Sequence, residues 1–97
     1  MADIQKRFLI WHEDTDSFTL VGYPLPLSPK EKLILHAIIC ADNDGISKND
    51  LCARLEGSVS PSSIPVHITS INKMALAVGG RYIILNINGY YIITTYM

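Results

Sequence analysis

The chain has 97 residues, of which 48% are hydrophobic and 18% are charged, and its net charge is −1. This length is enough for one compact domain with a single core and too short for two, so we expect residues 1–97 to form one domain. The near-neutral charge excludes an indiscriminate polyanion binder, because nonspecific DNA affinity comes mainly from neutralised phosphates.

The charges are unevenly distributed along the chain. Residues 1–57 contain all nine acids and six of the eight basic residues, whereas residues 58–97 contain Lys73, Arg81 and no acid. A surface for nucleic acid is therefore expected in the carboxy-terminal part.

The amino-terminal segment lacks the pattern of a targeting sequence. Its apolar run extends only from Phe8 to Trp11, which is too short for a signal peptide or a membrane span. We expect a cytoplasmic protein without membrane contact. The two cysteines, Cys40 and Cys52, fit neither a disulfide framework nor a C-x-x-C motif, and both thiols are expected to be reduced and buried.

The first third of the chain has the pattern of short antiparallel strands. Two β-favouring apolar runs, RFLIWH and SFTLV, are separated by EDTD, and YPLPL follows Gly22. These runs predict a small meander. The two prolines of YPLPL predict that this strand lies at the edge of the sheet, because proline cannot donate to a strand ladder.

The next segment, SPKEKLILHAIICADNDG, predicts a helix that extends to about Ala41. Ser28 can cap its start, Pro29 suits the first helical position, and Glu31 completes a capping box. The apolar face contains Ile34, Leu35, Ile38 and Ile39. The segment DNDG supplies a glycine that is able to end the helix with a positive φ.

A second, shorter helix is predicted in SKNDLCARLEG. Ser47 is its expected cap, with Asp50 three residues further on. Leu51 and Leu55 are expected to point inward, and Gly57 is expected to end the helix.

The segment from Ser62 to Gly80 predicts a third helix. One stripe of apolar residues, spaced by four, three, four and three, contains Ile64, Ile68, Ile71, Ala75 and Val78. Pro65 restricts where this helix begins, because proline beyond the first turn removes a backbone hydrogen bond. Ser62 is the expected cap, and Gly79 and Gly80 are expected to end the helix.

The last segment, RYIILNINGYYIITTY, predicts a β-hairpin. Its β-favouring arms flank Asn88 and Gly89, a pair that is strongly typical of a two-residue type I′ turn.

The order of these elements resembles the effector domain of OmpR/PhoB-type winged-helix transcription regulators, from Phe8 to Ile92. The resemblance is carried by LPLSPKEKLIL, SSIPVHITSINK and NGYYI. It implies an α+β fold, a winged helix-turn-helix with an amino-terminal antiparallel sheet, three helices and a carboxy-terminal hairpin wing. It also implies a transcriptional regulator whose third helix enters the major groove while the wing lies at the minor groove. We expect neither a receiver domain before this domain nor a membrane anchor after it.

The resemblance, together with positions outside the apolar stripe, assigns a DNA-facing surface. Its residues are Ser62, Ser63, Val66, His67, Thr69, Ser70, Asn72, Lys73, Asn86 and Asn88. Where the family usually has arginines on the third helix, this chain has Thr69, Ser70 and Asn72, and Asn86 and Tyr91 stand at wing positions that are commonly basic. These departures predict weaker binding to phosphates, although hydroxyl and amide groups can still read bases.

With so few cations, a monomer is expected to bind double-stranded DNA weakly, so useful affinity would need a second copy or another regulator protein. The expected partner interface contains Tyr82, Tyr90, Tyr91 and Tyr96, because tyrosine is enriched at interfaces. The alternative is a winged-helix interaction module that has lost DNA binding and acts as an antagonist or co-regulator.

No catalytic site is predicted. His36 and Cys40 lie one helical turn apart, but with Cys52 they provide only three candidate metal ligands, and the sequence indicates no fourth. We also find no nucleophile motif and no glycine-rich phosphate loop. We therefore expect neither a metal, a cofactor nor enzymatic activity.

Overall fold

The computed structural model describes residues 3–6, 8–41, 44–56 and 58–94. In chain order the elements are β1 (Ile4–Lys6), β2 (Leu9–His12), β3 (Ser17–Leu20), β4 (Tyr23–Pro24), α1 (Pro29–Cys40), β5 (Ile46–Ser47), α2 (Lys48–Arg54), a 3₁₀ turn (Pro61–Ser63), α3 (Ile64–Gly79), β6 (Ile84–Ile87) and β7 (Tyr90–Ile93).

The amino-terminal strands form an antiparallel sheet in the order β1-β2-β3-β4. The predicted meander is confirmed, and the proline-containing strand β4 lies at its edge. Leu9, Phe18 and Leu20 point from this sheet into the core. Strand β1 was not predicted, because three residues with a single apolar side chain carry no recognisable alternation.

Helix α1 begins with the predicted capping box. The Glu31 amide donates to the Ser28 hydroxyl oxygen at 3.3 Å, and the Ser28 amide donates to the Glu31 carboxylate at 2.8 Å. The predicted apolar face is buried. The helix ends at Cys40, with the extended residue Ala41 as its cap, so the glycine of DNDG does not end it.

That glycine, Gly45, has a different role. Its φ is +83°, and a Cβ there would lie 2.6 Å from the Tyr91 carbonyl oxygen. The neighbouring strand β5 pairs with β7, so Gly45 allows the backbone to approach the wing closely. Strand β5 was not predicted, because its two residues have no alternation of their own.

Helix α2 is capped as predicted, since the Asp50 amide donates to the Ser47 hydroxyl oxygen at 3.1 Å. Leu51 and Leu55 are buried. Gly57, the predicted end of this helix, lies outside the described residues.

The start of α3 differs from the prediction. Ser62 lies inside the 3₁₀ turn and is not the cap, and Ser63 occupies the cap position without a side-chain cap bond. Because Pro65 has no N–H to satisfy, the helix can begin directly from this turn. The predicted stripe is buried apart from the half-buried Val78, and Gly80, with φ +77°, ends the helix as predicted.

Strands β6 and β7 form the predicted hairpin. Asn88 and Gly89 have φ values of 55° and 86°, as a type I′ turn requires at both central positions. With β5 they make a second sheet in the order β5-β7-β6, so β6 lies at its edge.

One apolar cluster joins both sheets and the three helices. Neither cysteine forms a disulfide with the other, but the expected burial is wrong for Cys40, which is exposed at the end of α1, and Cys52 is half-buried. The Trp11 ring meets the His36 ring edge-on, with centroids 4.3 Å apart. Among the described residues, no helix is long and apolar enough to cross a membrane.

Candidate nucleic-acid interface

The outer face of α3 is an exposed surface of mixed apolar and hydroxyl character. Val66 is 68% exposed, and Thr69 and Lys73 are also exposed. Together with the half-buried Ser70 and Met74, these residues line a shallow groove. This face therefore offers methyl groups, hydroxyl groups and one lysine to an approaching molecule.

The hydroxyl of Thr69 is already engaged by its own helix. It donates to the Pro65 carbonyl oxygen at 2.9 Å. Its remaining lone pairs can accept a hydrogen bond, whereas a phosphate would need a donor. Thr69 in this rotamer is thus suited to a base amino group or to a methyl contact and poorly suited to a phosphate.

Glu31 brings a carboxylate from α1 against α3. The residue is only 8% exposed. Burial acts to raise the pKa of Glu31, but hydrogen bonds from Ser70 and Ser28 and the positive charge available at His67 outweigh it and hold the pKa below its ordinary value. The sequence assigns Ser70 and His67 to a DNA-facing surface, but both also lie near the Glu31 carboxylate. Their distance from Glu31 along the chain does not reveal this proximity.

The assignment of Asn72 to an exposed surface is wrong. Asn72 is 8% exposed, and its amide bonds to the backbone of the wing. Its Oδ1 accepts from the Ile83 and Ile84 amides at 3.0 and 2.9 Å, and its Nδ2 donates to the Ile84 carbonyl at 3.0 Å. A buried amide with its bonds made inside the protein has no reason to face DNA.

The serines before α3 have mainly local partners. The Ser63 hydroxyl donates to the Ser60 carbonyl at 2.9 Å, and the hydroxyls of Ser60 and Ser62 lie 3.3 Å apart. Ser62 is exposed and Ser63 is half-buried. Their backbone and hydroxyl groups lie next to Val66 along the chain, at the start of the same helix.

The wing carries the remaining assigned residues at its tip. Asn86 and Asn88 are exposed, and Asn86 Oδ1 accepts from the Gly89 amide at 3.1 Å. The second basic residue of this part of the chain, Arg81, is exposed between α3 and β6. The turn at the wing tip carries no charged side chain.

Of the four tyrosines assigned to a partner interface, two are exposed, namely Tyr82 and Tyr90. The assignment of Tyr91 is wrong, because this residue is 5% exposed and points into the core, where burial raises the pKa of its phenol. Tyr96 lies outside the described residues. Strand alternation, which sends neighbouring side chains to opposite faces, accounts for the difference between Tyr90 and Tyr91.

The outer face of the wing also contains apolar residues that the sequence analysis did not assign. Leu85 pairs with Ile92, and Ile87 pairs with Tyr90. Leu85, Ile87 and Tyr90 are exposed, and Ile92 is half-buried. The alternation within ILNI and YYII is the signal in the sequence that indicates this face.

The candidate metal ligands His36 and Cys40 do meet, with Nε2 and Sγ 3.5 Å apart. Within the described part of the chain, however, no group of three or more His, Cys, Asp or Glu side chains is arranged to hold a metal ion. The pair is a local contact at the end of α1.

Comparison with known proteins gives matches in structure and none in sequence. No protein-family model and no curated protein matches the chain. The DNA-binding domain of the response regulator AdeR, solved with an intercistronic region, superposes with a TM-score of 0.78 at 17% identity, covering 96% of this chain and 99% of that one. The RstA DNA-binding domain of Klebsiella pneumoniae, solved with the RstA box, gives 0.79 at 19% identity, covering 99% and 100%.

A third neighbour comes from a family of redox sensors in the streptococci that evolved from two-component response regulators. It superposes with a TM-score of 0.81 at 13% identity, covering 99% of this chain and 44% of that one. The chain therefore has the winged-helix fold of response-regulator DNA-binding domains, with the sheet, three helices and hairpin that the OmpR/PhoB resemblance predicted.

Proposed function

We propose that this protein is a DNA-binding regulator of transcription that inserts α3 into the major groove and sets the β6–β7 wing at the neighbouring minor groove. The observation that carries the proposal is the match to the AdeR and RstA domains, both solved with DNA, over nearly the whole of each chain. The exposed outer face of α3 supports the same interpretation.

The side chains on that face favour base contacts over phosphate contacts. Val66 and the Thr69 methyl group can meet apolar groups in the major groove, and Lys73 can reach either a phosphate or a guanine. His67 and Ser70 border the same face but share their polar groups with Glu31. In the wing, the amide N–H groups of Asn86 and Asn88 are the donors proposed to reach the DNA backbone or the minor groove.

Charge sets the strength of this binding. The acid-free part of the chain supplies only Lys73 and Arg81 as permanent cations, and the Glu31 carboxylate beside His67 opposes an approaching phosphate. A monomer therefore binds DNA weakly and with a shallow salt dependence, since each neutralised phosphate changes the slope of log K against log salt by about −0.9. A second copy or another regulator protein supplies the additional phosphate contacts.

Fluorescence anisotropy with a duplex selected by the protein from a random pool, at two salt concentrations, tests this proposal. Lys73→Ala should weaken binding and make the salt slope shallower by about 0.9. The matched control is Lys32→Ala, because Lys32 lies on the side of α1 that faces Trp11 and His36. Failure to select any duplex, or equal effects of the two variants, would contradict the proposal.

The alternative, an interaction module that no longer binds DNA, is favoured by one observation. The outer wing face of Leu85, Ile87, Tyr90 and Ile92 carries no charge, and exposed apolar patches commonly mark protein contacts. A chain that selects no duplex but forms a stoichiometric complex with a DNA-binding regulator, lost in Ile87→Asp, would establish this second function.

A further inference from the structure

One side chain spans the junction between α3 and the wing, and the role inferred for it rests on the proposed function. Asn72 is the only described residue of α3 whose side chain hydrogen-bonds the wing backbone. Its three bonds are all between 2.9 and 3.0 Å, and the residue is buried. A single side chain thus joins the two elements that are proposed to contact DNA.

The hydrogen bonds of Asn72 satisfy backbone groups on the outer edge of β6. Strand β6 has β7 on one side only, and an edge strand leaves alternate backbone N–H and C=O groups unpaired. The amide of Asn72 accepts from the Ile84 N–H and donates to the Ile84 C=O, as a neighbouring strand would. It also accepts from the Ile83 amide, so the wing is tied at the point where the chain enters β6.

We propose that Asn72 is a positioning residue that fixes the wing relative to α3, so that helix and wing engage their two grooves as one rigid unit. The rest of the wing is anchored to β5 and to the core through Ile84, Tyr91 and Ile93. The pairing with β5 fixes β7, and the apolar contacts of Ile84, Tyr91 and Ile93 are less directional than hydrogen bonds. The hydrogen bonds of Asn72 are the ones that connect β6 directly to α3 and so set the angle between hairpin and helix.

The chemistry of the site explains the residue type. An amide offers an acceptor and a donor on one planar group, which matches the N–H and C=O of Ile84. Aspartate is isosteric but is acceptor-only when ionised, and it would place a negative charge against the Ile84 carbonyl. Alanine would leave three buried backbone groups without these partners.

Amide hydrogen exchange and residual dipolar couplings test the positioning without DNA. In Asn72→Ala, exchange at Ile83 and Ile84 should accelerate by about tenfold or more, the factor that about 1.4 kcal/mol produces. Asn72→Asp keeps both acceptor bonds and loses only the bond to the Ile84 carbonyl, so it is followed by its dipolar couplings. The dipolar couplings of β6 and β7 should no longer fit one orientation with α3. Unchanged couplings in both variants would overturn the proposal.

Footprinting on a duplex selected by the wild-type protein tests the consequence for DNA binding. Both variants should lose minor-groove protection at the wing while keeping major-groove protection at α3. Leu9→Ala, which truncates a buried residue in β2 far along the chain from the junction, is the control for lost stability and should reduce both protections in parallel. If the Asn72 variants also lost major-groove and minor-groove protection in parallel, Asn72 would be only a general stabilising residue.

The two failures can be distinguished. If the wild-type protein selects no duplex, the proposed function fails, while the exchange rates and couplings still decide whether Asn72 fixes the wing. If Asn72→Ala does not fold, the dipolar couplings of Asn72→Asp, which retains both accepting bonds, decide the question.

Discussion

Three polar residues on α3 show how one helix distributes similar side chains among different partners. Thr69 bonds to its own helix and Asn72 bonds to the wing, while Ser70 helps to lower the pKa of Glu31 on α1. All three stand where the resemblance leads one to expect arginines. At Thr69 and Asn72 the side chain makes a short-range bond within the protein, in place of the long-range charge that an arginine would carry.

Adding cations at exposed positions should strengthen DNA binding. Val66 and Thr69 lie on the outer face of α3, so the double variant Val66→Arg, Thr69→Arg should bind a selected duplex more tightly, with a salt slope steeper by about 0.9 for each new phosphate contact. Anisotropy titrations at several salt concentrations measure both quantities.

Asn72→Arg is the matched control for that prediction. It adds the same charge at a buried position and should lower the free energy of unfolding by about 1–3 kcal/mol instead, because the bonds to the wing are lost. If this substitution tightened DNA binding as strongly as the exposed pair, position 72 would have to face the groove.

Glu31 should make stability depend on pH. Its pKa is lowered in the folded protein, so its contribution is complete above the unfolded-state value of about 4.3 and disappears as the pH falls through the folded-state value. Glu31→Gln keeps an acceptor for the capping box but loses the charge, and it should cost about 1 kcal/mol at pH 7. Urea unfolding at pH 7 and pH 3 should show this difference shrinking towards zero, and a constant difference would contradict the role of the charge.

At the scale of the elements, the features that follow from local rules could be predicted from the sequence. The two serine caps, the type I′ turn and the stripe on α3 depend on residues a few positions apart. Strands β1 and β5, with three and two residues, could not be predicted. They are too short to show an alternation of their own, and their extended form depends on pairing with β2 and β7. The same limit applies to the start of α3, where the turn at Pro61 replaces a side-chain cap.

The two glycines beside β7 should differ in their tolerance of a side chain. Gly89 has φ +86° and open space around it, whereas a Cβ at Gly45 would also collide with the Tyr91 carbonyl. Gly89→Ala should cost about 1–2 kcal/mol from the left-handed backbone alone. Gly45→Ala should cost at least about 1 kcal/mol more, because the β5–β7 pairing must shift. Equal losses in thermal unfolding would mean that the approach of β5 to β7 is not tight.

For the whole molecule, separation of charge along the sequence is not separation in space. Because all the acids lie in the amino-terminal part of the sequence, the α3 surface is expected to be free of acids. In the folded protein, however, α1 carries Glu31 to the neighbourhood of that surface. The fold was accessible from the sequence, because its helices and hairpin follow from local patterns. The inward turn of Asn72 and Tyr91 and the acid beside His67 were not, because they depend on tertiary packing.

Association on DNA should compensate for weak binding by one copy. If neighbouring copies contact each other through the wing as proposed, a duplex with two selected sites about one helical turn apart should bind two copies more tightly than two independent sites would. Tyr90→Ser should remove this gain if the wing forms the contact. Tyr23→Ser, which alters an exposed tyrosine on β4, is the control and should keep it. Binding isotherms on one-site and two-site duplexes give the comparison.

The edge-on contact of Trp11 with His36 has a practical consequence for all of these measurements. Trp11 is the only tryptophan in the chain, and it lies where β2 meets α1, within the amino-terminal part of the fold. Its emission is therefore an intrinsic optical signal for the docking of the amino-terminal sheet onto α1. Substitutions on α3 or in the wing that leave this emission spectrum unchanged have preserved that docking, so one unlabelled sample can report on folding while the labelled duplex reports on binding.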